Sequence, residues 1–177
     1  MPDTTYFSGD RWPIDDESVD FILCTETMEH VLDPPAFLTE AWRCLNQGGT
    51  ILLTVPFAAR WHFIPYDYWR FTPSCLDYLL RRSGFTNMQV YARGNAGTVA
   101  CYKIMALMLP LIAAQNMSSG VAALLRIAGL LFSPVLCVLA VIANITLLGR
   151  GGDDCLGYTV IARRSGPLSD ELRPDET

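Results

Sequence analysis

Residues Ser18 to Phe57 read SVDFILCTETMEHVLDPPAFLTEAWRCLNQGGTILLTVPF and divide into strand, loop, helix, turn and strand. Val19-Asp20-Phe21-Ile22-Leu23-Cys24 is a short apolar run bounded by acidic residues, which favours a buried strand over a helix start. Asp33 is placed to cap a helix whose first turn holds Pro34 and Pro35, where a missing N–H is harmless. Phe37, Leu38, Ala41, Trp42 and Leu45 then recur at helical spacing on one face. Asn46-Gln47-Gly48-Gly49 is expected to stop this helix, with glycine just past its end where a positive φ is wanted. Thr50 to Pro56 resumes as a second buried strand, closed by a proline that has no N–H for a ladder. Strand, crossover helix and strand make a βαβ unit with parallel strands. Open parallel sheets bind ligands at the carboxyl ends of their strands, which singles out the loop Thr25 to His30 and the segment after Pro56.

Taken together, these pieces resemble the second half of the nucleotide-binding core of class I S-adenosylmethionine-dependent methyltransferases of the broad small-molecule type. The family pattern is a strand ending before an LEH-like triplet, a helix started by Asp-Pro, an L-x-P-G-G turn and a strand ending in Pro-Phe. Met28-Glu29-His30 stands for the triplet and Leu45-Asn46-Gln47-Gly48-Gly49 for the turn, with Gln47 where proline is usual. The resemblance implies an α/β, Rossmann-like fold, S-adenosylmethionine as cofactor and a small-molecule methyl acceptor. It implies cofactor-binding roles for Thr25, Glu26 and His30, although a histidine opening a helix also serves to orient backbone. An acidic residue before a Pro-containing segment sits beside the adenine ring in such enzymes. Asp10 is the match here, its other reading being a solvated turn aspartate.

The family also carries, ahead of this region, a strand followed by G-x-G-x-G and an acidic residue on a second strand that holds the ribose. Neither pattern precedes Ser18, and Gly94-Asn95-Ala96-Gly97 comes too late in chain order. The expectation is therefore a partial methyltransferase fold without its amino-terminal strands. Such a chain is either a piece of an enzyme that alone binds the cofactor weakly, or a non-catalytic, membrane-associated remnant acting through a partner.

Ala58 to Pro65 fits neither a helical nor an alternating period and is expected to be a loop. Thr72 caps the next helix with Pro73 in its first turn, Leu76, Leu79 and Leu80 give it an apolar stripe, and Gly84 ends it. This part resembles a methyltransferase subgroup with H-x-x-P-x-D-Y-x-R-x-T after the second core strand, which places His62, Pro65, Asp67, Tyr68 and Arg70 over the mouth of the site. Methyl transfer is an in-line displacement, so an enzyme must align and sometimes deprotonate the acceptor. His62, Asp67 and Arg70 are the candidate catalytic residues, with His62 as base and Arg70 as a clamp on an acidic group. The alternative is that Asp67 and Arg70 pair with each other while the aromatics cover the sheet.

A net charge of −5 leaves no electrostatic footprint for nucleic acid. Six cysteines stand far apart with no C-x-x-C pair, several within apolar runs, so neither a disulfide framework nor a zinc site is expected and no metal ligand is assigned. No basic segment followed by an apolar one opens the chain, and a cytoplasmic setting is expected.

Composition shifts at residues 98–148. Cys101 to Ala114 is apolar apart from Lys103, and Leu130 to Leu148 carries no charge. Hydrophobic residues make up 51% of the chain, high for a water-soluble domain. The layout expected is 1–97 as the carboxyl-terminal part of the core, 98–148 as an apolar helical hairpin, 149–164 as the last core strand and 165–177 as a disordered tail. A single transmembrane helix would strand the final strand, Cys155 to Arg163, on the wrong side of the bilayer. A hairpin turning near Asn116 to Gly120 returns the chain, and its apolar surface suits the cytoplasmic face of a membrane or burial in a homo-oligomer. A membrane-facing hairpin also suits a lipid-linked acceptor.

Overall fold

The computed structural model describes residues 11–112, 119–149 and 151–165. Strands β1 (Val19–Thr25) and β2 (Leu45–Pro56) pair in parallel, with Phe21 opposite Thr50 and the register running in step to Thr25 opposite Thr54. Helix α1 (Pro34–Cys44) joins them, and the Asp33 carboxylate accepts the Ala36 N–H at 3.0 Å in the role its position foretold. Ile51, Leu53 and Val55, every second residue of β2, are fully buried, as are Leu38 and Ala41 of α1.

The helix ends before the glycines, contrary to the spacing argument. Leu45 is already extended and pairs with Val19. The next register pair is Phe21 with Thr50, so residues 46–49 bulge opposite Asp20 alone. Gly48, at φ +77°, makes its turn inside this bulge, and a Cβ on Gly49 would stand 2.8 Å from the Asn46 carbonyl oxygen. The Asn46 amide donates to Asp20 Oδ1 at 2.7 Å and closes the bulge. Leu45 is fully buried, and seating it in the sheet outweighs one more helical turn.

Helix α2 (Pro73–Arg82) starts at Thr72, whose Oγ1 accepts the Cys75 N–H at 3.2 Å, and Gly84 follows it at φ +89°. Leu76 and Leu80 face the core. Strands β3 (Phe85–Arg93) and β4 (Gly157–Arg164) complete a sheet of order β1-β2-β4-β3. Hydrogen bonds from Thr86 Oγ1 to Arg163 O and from Leu156 N to Arg93 O show that β3 and β4 run in opposite directions. The last strand thus lies inside the sheet, with Tyr158, Val160 and Ala162 buried, and β3 takes the edge.

The chain divides into two compact units: the sheet unit, which runs up to Tyr91 and resumes at Tyr158, and a helical unit, Ala92–Gly157. In the helical unit α3 (Ala96–Ile112) packs on α4 (Ser119–Thr146). Asn95 Nδ2 donates to Thr146 O at 2.8 Å, and the Thr98 and Thr146 hydroxyls lie 2.7 Å apart, so the two ends of the hairpin meet. The most apolar stretch of 18 residues within Gly120–Thr146 has a mean hydropathy of 2.3, and 6% of it is buried. Two of its polar side chains fold back onto the helix's own backbone: Ser133 Oγ donates to Leu130 O and Asn144 Nδ2 to Ala140 O, at 2.8 and 2.9 Å. Most of the expected turn, Asn116 to Gly120, lies outside the described residues, as do Asp10 and the tail from 166 onward.

Candidate functional site

At the carboxyl end of β1 the chain makes an abrupt turn. Glu26 sits at φ +48°, and its N–H is held by Thr54 at the end of β2, 2.9 Å from the carbonyl and 3.2 Å from the hydroxyl oxygen. A short 3-10 turn, Met28–His30, follows. Met28 and Glu29 are completely buried beneath the segment that sequence spacing leaves irregular. That segment is strapped down by backbone: the Glu29 carbonyl accepts the N–H groups of Tyr68 and Trp69 at 2.9 and 3.3 Å, and the Trp69 indole donates to Val31 O at 2.8 Å. Thr25 and Glu26 are exposed.

This strapping brings His62, Asp67 and Arg70 beside His30. The two imidazole rings meet edge to face at 5.0 Å, and Phe63 packs on His30 at 5.3 Å. The Asp67 carboxylate is fully buried and gripped by the Arg70 guanidinium through two bonds of 2.6 and 2.8 Å. Its Oδ2 also accepts the His62 backbone N–H at 3.0 Å and lies 3.1 Å from His62 Nδ1. The Arg70 hydrogen bonds hold the Asp67 carboxyl well below the usual carboxylate range. Arg70 also donates to Trp69 O and Arg60 O, so its fork faces the protein and serves Asp67.

Glu29 is the residue that the sequence reading quoted but did not single out. Its side chain is 0% exposed, and neither carboxylate oxygen has a hydrogen-bond partner among the described residues. Burial pushes its pKa up. Its Oε1 lies 3.7 Å from His30 Nε2 and 4.0 Å from His62 Nε2. One ligand atom from each of Glu29, His30 and His62 fits within 4.8 Å, a grouping that could hold a metal ion. The only signal in the sequence was a Glu-His pair directly after a strand. Nearby, Cys24 is buried and its thiol is pushed up to about 11, which leaves it inert as a nucleophile. All six cysteines are free.

A cleft of about 460 Å³ lined by Asp16, Glu17, Trp42, Arg43, Gln47 and Arg164 lies at the opposite, amino end of β1 and β2. There Arg164 stacks on Trp42 at 4.0 Å and donates to Glu17 Oε1 at 2.6 Å. Parallel sheets do not use that end for ligands.

Residues 5–53 match the family model described as a methyltransferase domain. No curated protein matches the chain. Among solved structures it is similar to a Galdieria sulphuraria protein whose name proposes a sarcosine dimethylglycine methyltransferase, at 17% identity and TM-score 0.53 over 91% of this chain and 58% of that one. It is also similar to the cyclase SpnF, at 17% identity and TM-score 0.51 over 92% of this chain and 56% of that one. A SAM-dependent methyltransferase from Thermotoga maritima follows at 16% identity and TM-score 0.50, over 88% and 61%. The chain therefore spans less than two thirds of the length of each of these structures. Its α/β fold is the Rossmann-like fold of class I S-adenosylmethionine-dependent methyltransferases, and the presence of a cyclase among its likenesses shows that the fold alone does not fix the chemistry.

S-adenosylmethionine is the cofactor this fold implies. What the described residues offer such a group is the turn at Thr25 and Glu26, exposed and pinned to Thr54 at the carboxyl ends of the parallel strands. A glycine turn and a ribose carboxylate are not among them.

Proposed function

We propose that this chain serves S-adenosylmethionine-dependent methyl transfer to a small-molecule acceptor. The cofactor supplies an electrophilic methyl group; the residues described here handle the acceptor. The observation that carries the reading is the set formed by Glu29, His30 and His62 at the carboxyl ends of the parallel strands. His62, with its side chain 43% exposed, is the member an incoming acceptor meets first. Its Nδ1 faces acceptors, Arg60 O at 2.9 Å and Asp67 Oδ2 at 3.1 Å, so the ring presents Nε2 toward Glu29 and the acceptor. Arg70 works through Asp67, fixing that ring, and is a positioning residue. Exposed Trp61, Phe63 and Tyr66 on the same segment would shelter an apolar acceptor from water.

The acceptor class we favour is lipid-linked, and α4 supports this: it is long and apolar, and many of its large apolar side chains are exposed. The hairpin would then rest in the cytoplasmic face of a membrane and keep the sheet unit close to its substrate. The test is transfer of label from methyl-labelled S-adenosylmethionine in detergent-solubilised preparations of the protein. Label in the organic-soluble fraction, lost in His62→Ala without a change in melting temperature, is the expected result. Label confined to protein or nucleic acid overturns the reading.

A further inference from the structure

The chemistry that Glu29, His30 and His62 can do depends on what lies between them. A buried carboxylate without a hydrogen bond is costly, and its oxygens are normally satisfied by protein or an ordered partner. Here Oε1 faces two imidazole Nε2 atoms at 3.7 and 4.0 Å, too far for hydrogen bonds. Neither ring can relieve the problem by turning, because each has its other nitrogen engaged. His30 Nδ1 meets Tyr66 O at 2.5 Å, and His62 Nδ1 meets Arg60 O and Asp67 Oδ2. Protons on both Nδ1 atoms leave two lone pairs and a carboxylate converging on one gap.

We infer that this gap is a binding site for a single divalent first-row transition-metal ion, held by Glu29, His30 Nε2 and His62 Nε2. Metal-bound histidines characteristically donate their far nitrogen to a carbonyl or carboxylate, as both rings do here, and Asp67 with Arg70 behind it forms the outer support of His62. Ligands at about 2.1 Å from a zinc-like ion stand about 3.4 Å apart in a tetrahedron, so the separations from Oε1 must close by only about half an ångström. Two imidazoles and one carboxylate favour zinc, cobalt, iron or manganese over magnesium or calcium. Three protein ligands and a solvent-exposed His62 leave one coordination position open, as in catalytic rather than structural sites. The position suits an oxygen of the acceptor, which the ion would make easier to deprotonate. That last role rests on the methyl-transfer reading; occupancy of the site does not.

The test uses the full chain in detergent, stripped with a chelator and titrated with Co²⁺, read by visible d–d absorption and by calorimetry. One Co²⁺ per chain is expected, displaced by Zn²⁺. Glu29→Gln and His62→Ala should each weaken binding at least about tenfold, and Asp67→Asn by about 10–100-fold with loss of absorption intensity. Asp77→Asn, on the exposed face of α2, should change nothing. Far-UV spectra and melting curves establish that the variants fold, and His62→Ala, in an exposed segment, carries the test if Glu29→Gln does not. Absence of Co²⁺ binding by wild type, or equal affinity in folded Glu29→Gln or His62→Ala, overturns the site. Cofactor is absent throughout, so failure here and failure of methyl transfer are separate results.

Discussion

Arg43 is the side chain that ties the segment ahead of β1 to α1. It donates to Glu40 at 2.8 and 2.9 Å, to Ile14 O at 2.9 Å and to Trp12 O at 3.2 Å, while Glu40 also accepts the Trp12 N–H at 2.9 Å. These bonds lower the Glu40 pKa. A lowered carboxyl contributes its stability above the unfolded value of about 4.3 and loses it as pH falls through the folded value. The melting-temperature advantage of wild type over Glu40→Gln should accordingly be full at neutral pH and shrink below about pH 4; a gap that stays constant on acidification would contradict this. Asp67 gives a second prediction. Its carboxylate is fully buried, so its pairing with Arg70 is not a surface ion pair, and Arg70→Ala should cost about 3 kcal/mol by urea denaturation. Arg70→Lys, which keeps charge but not the fork, should fall between. The sequence placed His62, Asp67 and Arg70 in the segment after the second parallel strand, and the structure gathers them beside His30. The weight of Glu29 was not legible, because whether a carboxylate is buried without a partner depends on a segment that returns some forty residues later, at Tyr68 and Trp69.

At the scale of elements, capping chemistry read directly from sequence. Asp33 and Thr72 both accept the N–H three residues on, each before a proline, and both were predictable because the side-chain requirement is local. Asp33→Ala should cost about 1 kcal/mol of stability, measured by chemical denaturation, with α1 still formed. The end of α1 was misread for an equally physical reason. Two glycines after an amphipathic stretch satisfy a helix stop and a strand bulge alike, and only the burial of Leu45 against the sheet decides between them. Gly48→Ala should therefore destabilise by about 1 kcal/mol through its positive φ. Gly49→Ala should cost more, because a Cβ 2.8 Å from the Asn46 carbonyl meets backbone. An equal effect at both positions would argue against the bulge.

For the molecule as a whole, the apolar stretch that composition singled out carries helices α3 and α4, tied together at Asn95 and Thr146. Composition did not say what covers it. If α4 faces lipid, the full chain should float with liposomes in a density gradient, and a variant with residues 98–145 replaced by a short Gly/Ser join should stay in the soluble fraction. Soluble, monomeric behaviour of the full chain without detergent would exclude that reading, since so large an apolar surface is not left in water. The strand order has a different outcome, in time rather than space. Because β4 lies between β2 and β3, a chain emerging from the ribosome holds β3 without its neighbour until residues 94–156 have been made. Synthesis at about 5–20 residues per second leaves an interval of seconds in which β2 offers a bare, buried-type edge. Nascent chains stalled before Gly157 should thus be cleaved by protease within β3, whereas chains released from the ribosome should be protected there; the hairpin sets the pace at which the sheet can close.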